Sequence, residues 1–195
     1  MAAVDQGFVT VVSGLPRSGT SMMMRMLERG GLPILTDGFR KADEDNPLGY
    51  YEFEPVKRLD RDVSWLPDAY NKAVKIIYIF LYNLPGDHMY KVLFMKRHLH
   101  DLVASQKVML RRREERDRMS DQELINRFDD ELRKLDLWIR HQENFNIRYL
   151  DFDEVVADPA GAALEISRFL GMQLDTEAMA QAVDPSLHRN RSTAV

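Results

Sequence analysis

A β-branched apolar run, Phe8-Val9-Thr10-Val11-Val12, feeds straight into Ser13-Gly14-Leu15-Pro16-Arg17-Ser18-Gly19-Thr20-Ser21 and then into a Met/Leu-rich helical pattern. No other stretch restricts the fold as much. A strand, a glycine-bounded loop and a helix in immediate succession bring backbone N–H groups and a helix N-terminus onto one point, where an anion binds. Gly14 and Gly19 keep the G-x-x-x-x-G spacing of a phosphate loop, but Thr20 stands where a nucleotide triphosphatase carries Lys. The cation of this loop is Arg17 instead. Without a Lys placed to reach β- and γ-phosphates, triphosphate chemistry is disfavoured. The backbone cradle remains, and the Thr20 and Ser21 hydroxyls can donate to the same anion.

Downstream, strand and helix patterns alternate. A helix over 22–29 is stopped by Gly30-Gly31. Residues 32–55, with Pro33, Gly38, Asn46-Pro47 and Gly49, form a long irregular segment of the kind that carries function. A weak helical pattern over 56–72 leads to Trp65-Leu66-Pro67. Strands are expected at 74–79, whose continuous apolar character also suits a helix, and at 91–96. Residues 98–118 read as a loop passing into a helix, with Arg111 to Arg118 as a solvated face of mixed charge. Ser120 and Glu123 make a capping box for an amphipathic helix over 121–142, carrying Leu124, Phe128, Leu132, Leu135 and Ile139 inward. A strand at 146–150 is followed by a helix that Asp158-Pro159 opens and Gly171 closes. The expected fold is α/β: a P-loop-like three-layer domain with a mainly parallel central sheet flanked by helices, one domain across residues 1–195. Ligands of such sheets bind outside the carboxyl ends of the strands.

Composition narrows the partners. The 195 residues are 45% apolar, enough for a sizeable core, and the formal net charge of −4 argues against a nucleic-acid binder. An anion site in such a chain has to be a local cluster of cations. The longest apolar stretch, 76–84, falls far short of a bilayer span of about 20 residues. Near the N-terminus stand Asp5 and no basic cluster, so the first apolar run reads as a core strand and the chain as cytoplasmic, without a membrane partner. With no Cys, thiolate chemistry and disulfides are excluded.

A second anion feature accompanies the loop. Arg97 follows the strand expected at 91–96, and Ser105 lies eight residues later on the next helix. Both leave the same sheet edge as the 13–21 loop, and an Arg there is a bidentate phosphate donor. Taken together, these residues resemble the sulfotransferases that use 3′-phosphoadenosine 5′-phosphosulfate (PAPS). Gly14-Leu15-Pro16-Arg17-Ser18-Gly19-Thr20-Ser21 is similar to the family's 5′-phosphosulfate loop, with its Pro-(Lys/Arg)-Ser-Gly-Thr core. The segment 91–97 with Asp101 and Ser105 resembles its 3′-phosphate motif. Tyr149-Leu150-Asp151-Phe152-Asp153, Asp158-Pro159 and Phe169-Leu170-Gly171 resemble its later strand, loop and helix. The resemblance implies PAPS as cofactor with adenosine 3′,5′-bisphosphate as product, no metal, and cofactor contacts from Pro16, Arg17, Ser18, Gly19, Thr20, Ser21, Arg97 and Ser105. A 3′-phosphate site would also reject ATP, which lacks that group.

The acceptor hydroxyl or amine needs a base. In the cytosolic branch of the family the base follows a Lys-Thr-His pattern. Here the corresponding residues read Val74-Lys75-Ile76-Ile77, so Lys75 persists as a catalytic candidate and the His is missing. Glu52, after the turn-rich Asn46 to Tyr51 stretch, is the preferred base, with Glu54 and Glu44 as alternatives. His98 and His100 sit beside Arg97 and read as cofactor contacts or surface. Arg189 and Arg191, two cations in a tail with no core pattern, are expected to fold over the cofactor. Met22-Met23-Met24 reads as core; Trp65, Trp138, Tyr50 and Tyr51 either pack or line an acceptor pocket. The expected activity is sulfuryl transfer from PAPS, catalysed through Arg17, Glu52 and Lys75, to a small-molecule acceptor. A homodimer could complete the site of so short a chain. The competing readings are a P-loop nucleotide kinase or hydrolase and a non-catalytic relative that binds PAPS or its bisphosphate product.

Overall fold

In the computed structural model, which describes residues 7–40, 43, 46, 49–112 and 119–184, β1 (Val9–Gly14) is the central strand. It pairs in parallel with β3 (Ala73–Lys75) on one side and β4 (Tyr90–Lys96) on the other. β2 (Ile34–Leu35) extends the sheet beyond β3, and β5 (Phe145–Asp151) extends it beyond β4, giving the order β2-β3-β1-β4-β5. Every ladder is parallel, as the alternation of strand and helix patterns requires. All six residues of β1 are buried, because helices cover both faces of the sheet.

Side-chain alternation divides the strands between two cores. Val9, Val11, Val92 and Phe94 face a cluster completed by Leu102 and Val103 of α2 (Leu99–Arg112) and by Leu124, Phe128, Leu135 and Ile139 of α3 (Asp121–Ile139). Val12, Leu93 and Met95 face the other, built on α1 (Thr20–Arg29), α5 (Pro159–Leu170) and α6 (Thr176–Gln181). Three layers result. Met23 and Met24 are fully buried in the second core, as their place on the inner face of α1 predicts, with Met22 packed against it.

Local signals in the sequence locate several boundaries. Ser120 and Glu123 form the expected capping box at α3, although the helix ends at Ile139, three residues short of the expected 142. Asp158 caps α5, its carboxylate accepting from the Gly161 N–H at 2.9 Å, and Gly171 closes the helix in the left-handed conformation. Two expectations need correction. The pattern over 56–72 is not an α-helix: two short 3₁₀ turns stand there, Glu54–Arg58 and Leu66–Ala69, each with proline in its first turn. The strand expected over 74–79 stops at Lys75, and Tyr78–Asn83 coils into a further 3₁₀ turn. Its apolar run stays buried at Tyr78 and Leu81 and exposed at Ile79, a three-residue period that a strand cannot provide. β2, α4 (Phe152–Ala157) and α6 had no distinct sequence signal, being two to six residues long.

The α5 cap provides a test of the fold alone. Asp158→Ala should lower unfolding free energy by about 1 kcal/mol in urea titrations, with ligand affinity at the far edge of the sheet unchanged.

Candidate functional site

Gly14 closes β1 in a conformation that only glycine fits. Its φ is 147°, and a Cβ there would lie 2.6 Å from the Met95 carbonyl of β4. The loop therefore leaves the sheet pressed against its neighbour's backbone. Arg17 (φ 73°) and Gly19 (φ 101°) both take the left-handed conformation, which folds the loop back over the sheet edge and curls its N–H groups inward. Ser18 is held by its N–H donating to the Leu15 carbonyl at 3.1 Å. No side chain caps α1, which leaves its first-turn N–H groups facing the loop. The Ser18 hydroxyl is buried and has no hydrogen-bond partner among the described residues. A built cradle with an unanswered donor suits an anionic ligand.

On the β4 side, the loop and the residues after β4 make one cluster. Arg17 Nε donates to Ser105 Oγ at 3.1 Å, and Arg97 Nη1 donates to the Arg17 carbonyl at 3.2 Å. The two anion pockets expected separately are thus contiguous. Arg97 also lies with its guanidinium carbon 4.5 Å from the centre of the Phe152 ring, at the start of α4, a contact worth about 1 kcal/mol at a partly buried site. Burial pulls the Arg97 guanidinium below its ordinary value, and the Arg17 charge acts the same way, while Asp101 and Asp153 act against it. A bound phosphate would relieve the repulsion between the two guanidinia. Ser18, Phe94, Arg97, Leu102, Leu135 and Tyr149 are among the residues lining an adjoining cavity of about 440 Å³. His98 and His100 stack on one another with ring centres 5.3 Å apart, both exposed beside Arg97.

On the β3 side, Lys75 ends its strand with 8% of its surface exposed. Its ammonium donates to the Tyr50 carbonyl, which also accepts from the Ser21 hydroxyl at 3.3 Å. Ser21 is thereby turned toward the irregular segment. The Tyr50 ring lies 3.4 Å from the Arg40 guanidinium carbon, and Arg40 Nη1 meets Glu52 Oε1 at 2.6 Å. Desolvation pushes the Lys75 ammonium down to about 8, with the Glu52 charge raising it and the Arg40 charge lowering it. It remains mainly a cation at pH 7. Glu54, the alternative base, is tied at 2.5 Å to Lys57 on a 3₁₀ turn. Glu44, Arg189 and Arg191 lie outside the described residues, as do residues 113–118 of the mixed-charge run.

Three participants had not been singled out as site residues: Arg40, Phe152 and the backbone carbonyl of Tyr50. A lone Arg in a loop and a carbonyl carry no sequence signal. Phe152 lay inside a segment read only as the later strand. Trp65 is buried with its ring edge-on to Phe53, and Trp138 packs against Tyr82 and Phe145.

The chain matches the family described as the sulfotransferase domain over residues 9–192. Among solved structures it is similar to a sulfotransferase from Alicyclobacillus acidocaldarius, at 17% identity and a TM-score of 0.51 over 92% of this chain and 87% of that one. The sulfotransferase domain of the Synechococcus PCC 7002 olefin synthase aligns at 13% identity and a TM-score of 0.57, over 94% and 80%. A mouse sulfotransferase complexed with PAP aligns at 15% and 0.51, over 97% and 68%. At such identities the structural likeness bears on the fold. No curated protein sequence matches the chain.

The buried lysine makes the site expensive to fold, with a definite pH signature. Lys75 loses its proton near pH 8 in the folded chain and at its ordinary value of 10.5 when unfolded. Between these limits the unfolded chain binds more protons, so stability rises with pH, by about 3 kcal/mol in all. Below pH 8 that penalty is present in full. Lys75→Met should therefore be more stable than wild type at pH 7 in urea titrations, and the advantage should shrink between pH 8 and 10.5.

Proposed function

Because the chain belongs to the sulfotransferase family, its reaction is sulfuryl transfer from PAPS, and we propose that it runs between the Arg17–Arg97–Ser105 cluster and the Glu52–Lys75 pair. The observation that carries this assignment is the pair of contacts joining Arg17 to Ser105 and Arg97 to the Arg17 carbonyl. By joining the loop to the residues after β4, they support a single polyanion site of the kind a 5′- and 3′-phosphorylated nucleotide needs. The open N–H groups and the partnerless Ser18 hydroxyl fit such a ligand. The adjoining cavity has the volume of a small-ligand pocket.

When bound, PAPS supplies a sulfuryl group whose transfer leaves negative charge on the 5′-phosphate oxygen. Arg17, the loop N–H groups of residues 14–21 and the N-terminus of α1 stabilise that charge. Lys75, cationic at pH 7 and adjacent to the loop through Tyr50, adds a positive charge from the β3 side. Glu52 takes the proton from the acceptor hydroxyl or amine as its oxygen or nitrogen bonds to sulfur. Arg97 and Ser105 hold the 3′-phosphate. Positioning and charge compensation suffice for an in-line transfer of this type. The nucleotide-kinase and non-catalytic readings are not favoured. Residues 1–195 acting as one domain on a small acceptor, in the cytoplasm and with scope for a homodimer, belong to the same proposal. The single-domain part is supported by one sheet serving both cores among the described residues.

Adenosine 3′,5′-bisphosphate should raise the melting temperature more than ADP or ATP–Mg²⁺. At 100 times its dissociation constant a ligand specific for the folded state adds about 2.7 kcal/mol. Arg97→Ala should abolish that selectivity. Equal stabilisation by ATP–Mg²⁺ would refute the assignment. In steady-state assays Glu52→Gln should lower kcat by about 10² to 10⁴ and leave bisphosphate affinity intact.

A further inference from the structure

Arg40 engages one of the two carboxylate oxygens of Glu52. The Arg40 Nη1 to Glu52 Oε1 distance is 2.6 Å, and the two side chains are 33% and 21% exposed. Glu52 supplies the charge that keeps the Arg40 guanidinium above its ordinary value despite burial. While that charge-assisted bond is made, Oε1 points at the guanidinium and is turned away from an incoming hydroxyl or amine.

The ion pair is also unnecessary for holding the loop. The Glu52 carbonyl already accepts from Thr36 Oγ1 at 2.8 Å and from the Asp37 N–H at 3.3 Å. Arg40, for its part, has a second support. Its guanidinium lies on the Tyr50 ring, and Tyr50 is held twice: its hydroxyl donates to Asp43 Oδ1 at 2.5 Å and its backbone carbonyl accepts from Lys75 and Ser21. That support does not involve Glu52. The geometry is that of a preorganised carboxylate site currently filled by the protein's own carboxylate.

We propose that Arg40 binds a carboxylate on the acceptor, so that the acceptor displaces Glu52 from Arg40 and releases it as the base. The acceptor class is then a hydroxylated compound bearing a carboxylate. Like replaces like at Arg40, because the guanidinium fork fits the incoming carboxylate as it fits Glu52. A neutral acceptor leaves the ion pair closed and reacts slowly. Arg40 is in this scheme a specificity and positioning residue that touches the acceptor away from the reacting oxygen. The inference rests on Glu52 being the base.

Two measurements separate this proposal from that reading. In the first, kcat/KM is compared for 4-hydroxyphenylacetate and 4-ethylphenol, with PAPS saturating. Wild type should favour the carboxylate at least tenfold, Arg40→Gln should bring the ratio near one, and Arg40→Lys should keep part of it, since a point charge replaces the fork. A wild-type ratio near one, or a preference that survives Arg40→Gln, overturns the proposal. The second is calorimetric titration of phenylacetate into the bisphosphate complex, which requires no turnover. Binding should tighten about tenfold in Glu52→Gln, where the competing carboxylate is gone, and disappear in Arg40→Gln. Binding that is absent in Glu52→Gln, or unchanged by Arg40→Gln, overturns the carboxylate site whatever the base proves to be. Full turnover in Glu52→Gln overturns the base and with it the release step, even where the calorimetry places a carboxylate on Arg40.

Discussion

At the end of β1 the chain passes so close to the Met95 carbonyl that only a glycine can stand there. That approach sets the height of the 14–21 loop over the sheet edge, and most of the site's geometry descends from it. Arg17 folds back in the left-handed conformation, and its carbonyl comes within reach of Arg97, which leaves the neighbouring strand one residue beyond Lys96. Gly19 then turns the chain into α1 directly beside Phe152, whose ring a Cβ at Gly19 would meet at 2.5 Å. Two residues without side chains thus allow three strand ends and two helix starts to crowd around one anion-sized space. A methyl group at either position would separate the loop from the cations that serve it.

The site concentrates positive charge in a chain whose net charge is negative. Arg17, Arg97, Lys75 and Arg40 all sit near the carboxyl ends of β1, β3 and β4 or on the loops that fold over them. Holding them there without a ligand costs stability, most visibly at Lys75, where desolvation drives the ammonium toward neutrality. The structure limits that cost by lending each cation a local partner: a carbonyl for Lys75, a hydroxyl for Arg17, an aromatic face for Arg97 and a carboxylate for Arg40. The Asp101 and Asp153 charges act on Arg97 as well, opposing the effect of its burial. At Arg40 the Glu52 carboxylate lies 2.6 Å away, close enough for a charge-assisted bond.

Much of this is legible in the sequence itself. The glycine spacing and Arg17 announce an anion loop, because the backbone conformations involved depend on residues adjacent in sequence. Capping boxes and Asp-Pro starts locate α3 and α5 for the same reason. The mistaken strand over 74–79 shows where such reasoning fails: an unbroken apolar run states burial but not period, and here the sheet ends after Lys75 while burial continues in a 3₁₀ turn. Glu52 and Lys75 were legible as candidates, the first from its turn-rich surroundings and the second from its place before a missing His. Arg40 and the Tyr50 carbonyl were not, since neither belongs to any local pattern.

From its own residues the sequence determines the loop, the alternation that makes a parallel sheet, and the preference for a phosphorylated ligand lacking a γ-phosphate. All three follow from short-range stereochemistry and side-chain periodicity. Only the tertiary structure decides that Arg17 reaches a serine 88 positions away, that Arg97 meets a carbonyl 80 positions away, and that Arg40 closes on Glu52 above Tyr50. Those contacts depend on the strand order β2-β3-β1-β4-β5, which places the ends of β3 and β4 on either side of the loop. Strand order is a property of how whole elements pack, and no local stretch of the chain encodes it.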